Sequence, residues 1–245
     1  MTDKTLLSII TICKNEPFIK STCQSICAQT NQNFEWIIID GASTDNTLEQ
    51  IEPFKNRVNT LISEQDNGIY PAMNKGINLA SGKYLLFLNG GDLLYNNETI
   101  ARVLPYLNKA SADIFYGDSY RLFENKQDCF IKTYPNTLKK SFFLDNTLAH
   151  QSSFIKKELF IKYGPYREDF KIVSDKEKWL CFIDNNAKFS HLPFPCSRFR
   201  MNGISRFPSQ ILKEEKIKML QEYFPKEILY NSELPYLQAL FTKQR

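Results

Sequence analysis

The feature that most constrains this chain is the stretch Tyr84-Leu85-Leu86-Phe87-Leu88-Asn89-Gly90-Gly91-Asp92. An unbroken apolar run, Tyr84 to Leu88, leads into a polar corner of asparagine and glycines that ends on a carboxylate. Such a run suits a central strand of a parallel sheet, buried on both faces. Its carboxyl end opens on the edge where open α/β sheets hold their ligands. Asp92 is then a lone acid delivered to that edge by the most buried strand.

The residues before it keep one rhythm. Leu6 to Cys13 reads as a first strand, broken by Lys14-Asn15-Glu16-Pro17, with Pro17 suited to a first helical position. The helix that follows puts Phe18, Thr22, Ile26 and Gln29 on one face. Phe34 to Asp40 is a second strand, and Gly41-Ala42-Ser43-Thr44-Asp45 offers caps to a helix over Asn46 to Ile51 that Pro53 stops. Val58 to Ser63 is a third strand. Ile69 to Ala80 is a helix with Ile69, Met73, Ile77 and Ala80 inward, closed by Gly82. Strands alternating with helices, each strand ending on a polar turn, predict a doubly wound parallel sheet.

Beyond Asp92 the rhythm changes. A helix is expected over Thr99 to Leu107, and a strand over Asp113 to Tyr116 ending in Gly117-Asp118. Tyr120 to Phe123 and Cys129 to Tyr134 form a hairpin pattern, and Gln151 to Ile155 another strand. Lys157 to Tyr163 is a short helix ended by Gly164-Pro165. Ser174 to Ile183 is a helix with Ser174 as cap and Glu177 at capping-box spacing, and Phe189 to Leu192 is the last strand. From Ser209 the chain is helical and lysine-rich, with Tyr230, Leu234, Leu237 and Phe241 recurring on one face. One α/β domain over 1–208 with a C-terminal helical appendage over 209–245 is the expected organisation.

Composition removes several classes of function. Hydrophobic content of 42% with 24% charged residues is ordinary for a globular chain and excludes wholesale disorder. A net charge of +4 without a dense Lys/Arg block is too weak to indicate nucleic acid. The six cysteines lack CxxC spacing, which implies reduced thiols and a cytoplasmic protein. His150 and His191 stand at no zinc-ligand spacing. The apolar run at Leu6 to Ile10 is short and broken, so it reads as a strand rather than a leader. No stretch is long and apolar enough for a membrane-spanning helix.

Two phosphate cradles are also excluded, because neither G-x-x-x-x-G-K-[ST] nor G-x-G-x-x-G follows a strand. Asp40, Asp66 and Asp92 instead fall at or just beyond the carboxyl ends of expected strands. Acids gathered at one sheet edge repel unless a cation or a hydrogen-bonding ligand lies between them. Mg²⁺ or Mn²⁺ shared with phosphate would satisfy them; helix and turn capping is the alternative role for each.

The blocks Ser8-Ile9-Ile10-Thr11, Asp40-Gly41-Ala42-Ser43-Thr44-Asp45-Asn46-Thr47, Ser63 through Asn74-Lys75-Gly76, and Phe87-Leu88-Asn89-Gly90-Gly91-Asp92 together carry a resemblance. The chain resembles family 2 inverting glycosyltransferases of the GT-A fold, and among them bacterial enzymes that build capsule, O-antigen or exopolysaccharide. The resemblance is dense over 6–92 and continues more thinly through His150-Gln151, Ser174-Asp175 and Asn202-Gly203-Ile204-Ser205. It implies a Rossmann-like α/β domain: a mostly parallel central sheet with helices on both faces, a nucleotide-binding half over 1–92 and an acceptor-binding half over 93–208.

The same resemblance implies roles for the matching residues. Thr11 and Glu16 would line base and ribose, Asp40 would lie by the uracil or ribose, and Asp66 and Lys75 near ribose and diphosphate. Asp92 matches the last acid of the family's metal motif, and Asp175 the general base that deprotonates the acceptor hydroxyl. Asp118, His150 and Gln151 would face donor sugar or acceptor, and Asn202, Gly203 and Ser205 match a loop that closes near the phosphates. The implied partners are a nucleotide sugar, UDP by family habit, a Mn²⁺ or Mg²⁺ ion, and a saccharide acceptor on a polyprenyl diphosphate.

The chain also departs from the family. Asn89 and Gly91 stand where the fuller metal motif has acids, which leaves Asp92 as its one clear protein ligand. Gly41 follows Asp40 where relatives carry a second acid, and Pro71 stands where relatives have one. Bland roles stand beside several functional ones: a dipole-favoured helix acid for Asp175, a structural histidine for His150 and a turn for Asp118. Arg198 and Arg200 suit either a phosphate contact or a solvated strand face. The Tyr230 to Phe241 stripe suits core packing or, beside Lys226, Lys243 and Arg245, an anionic membrane surface. A non-catalytic nucleotide- or sugar-binding module is a competing reading. A sugar-phosphate nucleotidyltransferase is another, although residues 11–17 lack the glycine and arginine its phosphate loop requires.

Overall fold

The fold is taken from a computed structural model that describes residues 5–123, 129–201 and 209–230. Strands β1 (Leu7–Cys13), β2 (Glu35–Asp40), β3 (Thr60–Ser63) and β4 (Tyr84–Phe87) pair in parallel in the order β3-β2-β1-β4. Helices α1 (Ile19–Cys27), α2 (Thr47–Ile51) and α3 (Ile69–Leu79) make the crossovers. β1 and β4 are buried along their whole lengths, β4 as an unbroken apolar run and β1 with Ser8 and Thr11 buried among its apolar residues. Alternate residues feed two cores: Ile10, Ile12, Leu85 and Phe87 face α3, while Leu7, Ile9, Tyr84 and Leu86 face α1.

Two helix faces differ from expectation, and both differences bear on the site. α1 buries Ile19, Thr22, Cys23 and Ile26, whereas Phe18 is left 39% exposed. In α3 the buried aromatic is Tyr70, and Ile69 is 38% exposed. Phe18 and Ile69 both line the same cavity, so each apolar side chain left out of the core faces the site. α2 ends at Ile51, as expected, and Pro53 lies at the start of a 3₁₀ turn over Glu52–Arg57, where a missing N–H costs nothing.

The second half of the sheet is mixed. β5 (Leu93–Leu94), β6 (Ile114–Leu122), β7 (Phe130–Lys132), β8 (Ser153–Lys156) and β9 (Phe189–Arg200) extend it to nine strands among the described residues, in the order β4-β8-β6-β9-β5 with β7 on β6. β8 runs antiparallel between β4 and β6, while β9 runs parallel to β6. The separate strands expected around Gly117-Asp118 are one strand, with register shifts on both sides of Asp118 absorbing the irregularity. β9 continues to Arg200, well past Leu192, and carries the chain back to the cavity.

Helices α4 (Thr99–Lys109), α5 (Lys157–Tyr163) and α6 (Ser174–Asp184) cover the sheet. α6 does not carry the expected capping box. Its cap position is Val173, the buried Ser174 hydroxyl has no hydrogen-bond partner among the described residues, and Glu177 turns inward to the Tyr223 hydroxyl. Tyr223 closes α7 (Gln210–Tyr223), which Ser209 caps by accepting the Leu212 N–H at 3.1 Å; α8 (Lys226–Tyr230) follows. Leu212, Met219, Leu220, Phe224 and Leu229 pack into the same core as Trp179 and Phe182, so α7 and α8 are integral to that core. Of the C-terminal stripe only Tyr230, 53% exposed, lies within the described residues.

Candidate active site

At the carboxyl ends of β1, β2 and β4 lies a cavity of about 770 Å³. The turn after β4 forms its floor. The Asp92 N–H donates to the Asn89 carbonyl at 3.0 Å, the Gly90 N–H to Ile12 at 2.9 Å, and the Gly91 N–H to the Thr22 hydroxyl at 2.9 Å. A side chain at Gly90 would place Cβ 2.7 Å from Glu16 Cγ, and Gly91 sits at a φ of +87°. Both glycines are therefore required: one lets Glu16 pack beneath the turn, the other makes the turn. Asp92 emerges 8% exposed. Burial pushes its carboxyl up to about 7, against the opposing pull of His150 and a hydrogen bond with Gln151.

Asp175 reaches the same cavity from the first turn of α6. Its carboxylate is held from two sides. Tyr70 Oη lies 3.2 Å from Asp175 Oδ1 and 2.7 Å from the Ile172 carbonyl. His150 Nδ1 lies 3.4 Å from Asp175 Oδ2, and His150 Nε2 lies 3.3 Å from Asn89 Nδ2. With the amide as placed, Asn89 donates to Nε2, so Nδ1 carries the proton and donates to Asp175. One imidazole thus links the turn bearing Asp92 to the helix bearing Asp175. Burial, and next the Asp175 charge, hold the Tyr70 phenol well above its ordinary range.

The remaining expected residues divide. Glu16, Asp66, His150 and Gln151 line the cavity with Asp92 and Asp175. Lys75 does not line it: its ammonium is committed to Asp66 at 2.7 Å and Glu64 at 2.5 Å, bonds that raise its pKa. Asp66 keeps its other oxygen buried with no partner among the described residues. Thr11 is a core residue whose hydroxyl accepts the Trp36 indole N–H at 3.1 Å, and it does not line the cavity. Asp40 is fully buried, accepting from the Ser43 N–H at 3.0 Å and the Ser63 hydroxyl at 2.6 Å. It anchors the β2 turn, while its neighbour Gly41 meets the cavity. Asp118 is likewise structural, holding His191 Nε2 at 2.9 Å and the Tyr134 N–H at 3.1 Å away from the cavity. Asn202, Gly203 and Ser205 lie outside the described residues.

Several cavity residues escaped sequence reasoning. Tyr70 fell outside the inward face expected of its helix, and Lys171 carried no signal. Arg200 lines the cavity with its guanidinium 3.9 Å over the Phe18 ring, whereas Arg198 is exposed and lies 5.1 Å over Tyr95. For a metal, no cluster of three or more His, Cys, Asp or Glu occurs among the described residues. The β4 turn offers the Asp92 carboxylate and, three residues earlier, a buried Asn89 Oδ1 without a hydrogen-bond partner among those residues. This small oxygen set fits a hard divalent ion that draws its other ligands from phosphate and water.

A parallel half-sheet continued by a mixed one, with a cavity at the switch, is the architecture of the GT-A glycosyltransferases. Crystal structures of Staphylococcus aureus TarS 1-349 with UDP-GlcNAc (TM-score 0.69, 16% identity, 95% of this chain and 69% of that one) and GalNAc-T7 with UDP, GalNAc and Mn²⁺ (TM-score 0.67, 16% identity, 96% and 52%) share this fold. The chain belongs to Glycosyl transferase family 2, whose sequence profile matches residues 8–202. A PGL/p-HBAD biosynthesis glycosyltransferase of Mycobacterium bovis is 33% identical over 175 residues, covering 69% of this chain and 66% of that protein's length. An uncharacterized glycosyltransferase of Methanocaldococcus jannaschii is 25% identical over 225 residues, covering 87% and 77%. The chain thus spans just under two thirds of the length of the mycobacterial relative.

Proposed function

We propose that this family 2 glycosyltransferase is metal-dependent and inverting. It moves a sugar from a nucleotide sugar, UDP-linked, to a hydroxyl of a saccharide acceptor carried on polyprenyl diphosphate. The setting is the assembly of bacterial surface polysaccharide at the cytoplasmic face of the membrane. The observation that carries the reading is the meeting of Asp92 and Asp175 on one cavity, joined through Asn89 and His150. A cavity near 770 Å³ suits a nucleotide sugar.

In the reaction, Asp175 takes the proton of the acceptor hydroxyl while that oxygen attacks the anomeric carbon. The carbon–oxygen bond to the diphosphate breaks on the opposite face, and configuration inverts. Tyr70 and His150 hold the Asp175 carboxylate in place during the transfer. Mn²⁺ or Mg²⁺, held by Asp92 with Asn89 Oδ1, would supply positive charge to the leaving diphosphate. Lys14, Lys171 and Arg200 add cationic side chains to the same cavity. Residues 1–92 serve as the nucleotide-binding half and 93–208 as the acceptor-binding half. Attachment in this reading is peripheral, through the lysine-rich C-terminal segment; no helix among the described residues is long and apolar enough to cross a membrane.

The test is a panel of UDP-, GDP- and dTDP-sugars with Mn²⁺ or Mg²⁺, read as nucleotide release, with the product anomer assigned by NMR. Release from a UDP-sugar with an inverted product is expected. Silence across all UDP-sugars refutes the donor assignment, and a retained configuration refutes the mechanism.

A further inference from the structure

The approach to α6 is held by a residue from far along the chain. Glu215 of α7, 9% exposed, accepts three consecutive backbone N–H groups: Lys171 at 2.6 Å, Ile172 at 2.9 Å and Val173 at 3.3 Å. Val173 is the cap position of α6, and Asp175 is the second residue of that helix. The Ile172 carbonyl receives the same Tyr70 hydroxyl that touches Asp175. Lys171 and Ile172 themselves line the cavity. One carboxylate therefore fixes three successive peptide units between the cavity wall and the helix that presents Asp175. Glu215 also sets a negative charge at the positive end of α6, where Ser174 and Glu177 fail to cap.

The neighbouring contacts of α7 do less. Lys218 meets Asp169 at 2.8 Å and Glu222 meets Arg167, but Asp169 and Lys218 are about half exposed. Exposed ion pairs of this kind contribute little and hold no backbone. Glu215 is the member of this face that is buried and bonded to main chain.

We infer that Glu215 is a positioning residue for Asp175: it acts through residues 171–173 to hold the carboxylate at the angle the acceptor proton requires. The inference rests on Asp175 being the general base. It also gives α7 a role beyond packing, because the accuracy of the site then depends on a helix that contributes no residue to the cavity lining.

The experiment compares Glu215→Gln, Glu215→Ala, Asp175→Asn and the exposed control Glu214→Gln. The assay is steady-state nucleotide release from the best donor of the panel with Mn²⁺, run well below each variant's melting temperature. In Glu215→Gln one oxygen still accepts, so part of the clamp survives and the fold is least disturbed. Turnover should fall in the order wild type, Glu215→Gln, Glu215→Ala, with the last down about 10- to 100-fold, as expected for a displaced catalytic group. Donor KM should stay within about twofold, since the interaction lost is one made only in the transition state. Hydrogen exchange should quicken at residues 171–173 and stay slow in β4. Glu214→Gln should match wild type. Unchanged kcat in Glu215→Ala, or a loss confined to donor KM, overturns the inference. Wild-type turnover in Asp175→Asn instead overturns the base assignment on which it rests.

Discussion

Asp92 should weaken the empty protein. Its carboxyl is 8% exposed, and burial moves its pKa from 3.8 to about 7. In the unfolded chain the group ionises near 3.8, so between that value and 7 the folded state holds a proton that the unfolded state has released. Stability of the metal-free protein must therefore fall as pH rises through this window and level off above 7. About 3 pKa units at ~1.4 kcal/mol each set a ceiling near 4 kcal/mol. Asp92→Asn removes the charge and keeps the shape. In EDTA its stability advantage over wild type should be absent below pH 4 and full at pH 8. Each 1 kcal/mol is worth about 2–4 °C in a chain of this size, so a gain of several degrees at pH 8 is expected by differential scanning fluorimetry. Adding Mn²⁺ with UDP should reverse the order, stabilising wild type and leaving Asp92→Asn unmoved, since a ligand stabilises only the state that binds it. A variant no more stable at pH 8, or a gain independent of pH, would refute the reasoning.

Two further substitutions probe the scaffold and the link across the site. Gly82→Ala would place Cβ 2.5 Å from the Ser8 backbone nitrogen and 2.8 Å from the Leu7 carbonyl carbon. Backbone cannot yield as a side chain does, so a loss of about 3 kcal/mol or more is expected in urea unfolding. A loss below ~1 kcal/mol would mean that β1 gives way. His150→Ala removes the contacts to Asn89 and Asp175 together. Turnover should fall roughly 10- to 100-fold with nucleotide affinity retained, since general-base action depends on a held carboxylate. Weakened nucleotide binding at normal turnover would place His150 in the donor site instead.

The parallel half of the fold was legible because its strands are mainly apolar, β4 without a break, and each crossover is local. The strand ending at Asp92 is the clearest case, and the turn that follows needs the glycines it has. The antiparallel insertion was not legible: β8 joins β4 from about seventy residues downstream, and no local pattern encodes which edge a short strand will choose. The site divides along the same line. Asp92 and Asp175 are carried by local motifs, and both reach the cavity. Thr11, Asp40 and Asp118 carry equally polar side chains, yet the fold saturates them internally, with Trp36, with Ser43 and Ser63, and with His191 and Tyr134. Saturation is a property of tertiary contacts. The capping box at Ser174 failed for a related reason: Glu177 found Tyr223 and the role passed to Glu215, neither of them a neighbour in sequence.

The central claim is that Asp175 removes the acceptor proton in a sugar transfer whose nucleotide is held elsewhere in the same cavity. The measurement that meets it most directly is turnover by Asp175→Asn beside the affinity of that variant for UDP. The account predicts turnover lower by about 10²- to 10⁴-fold, the usual worth of a general base, with UDP affinity unchanged. Undiminished turnover would contradict it.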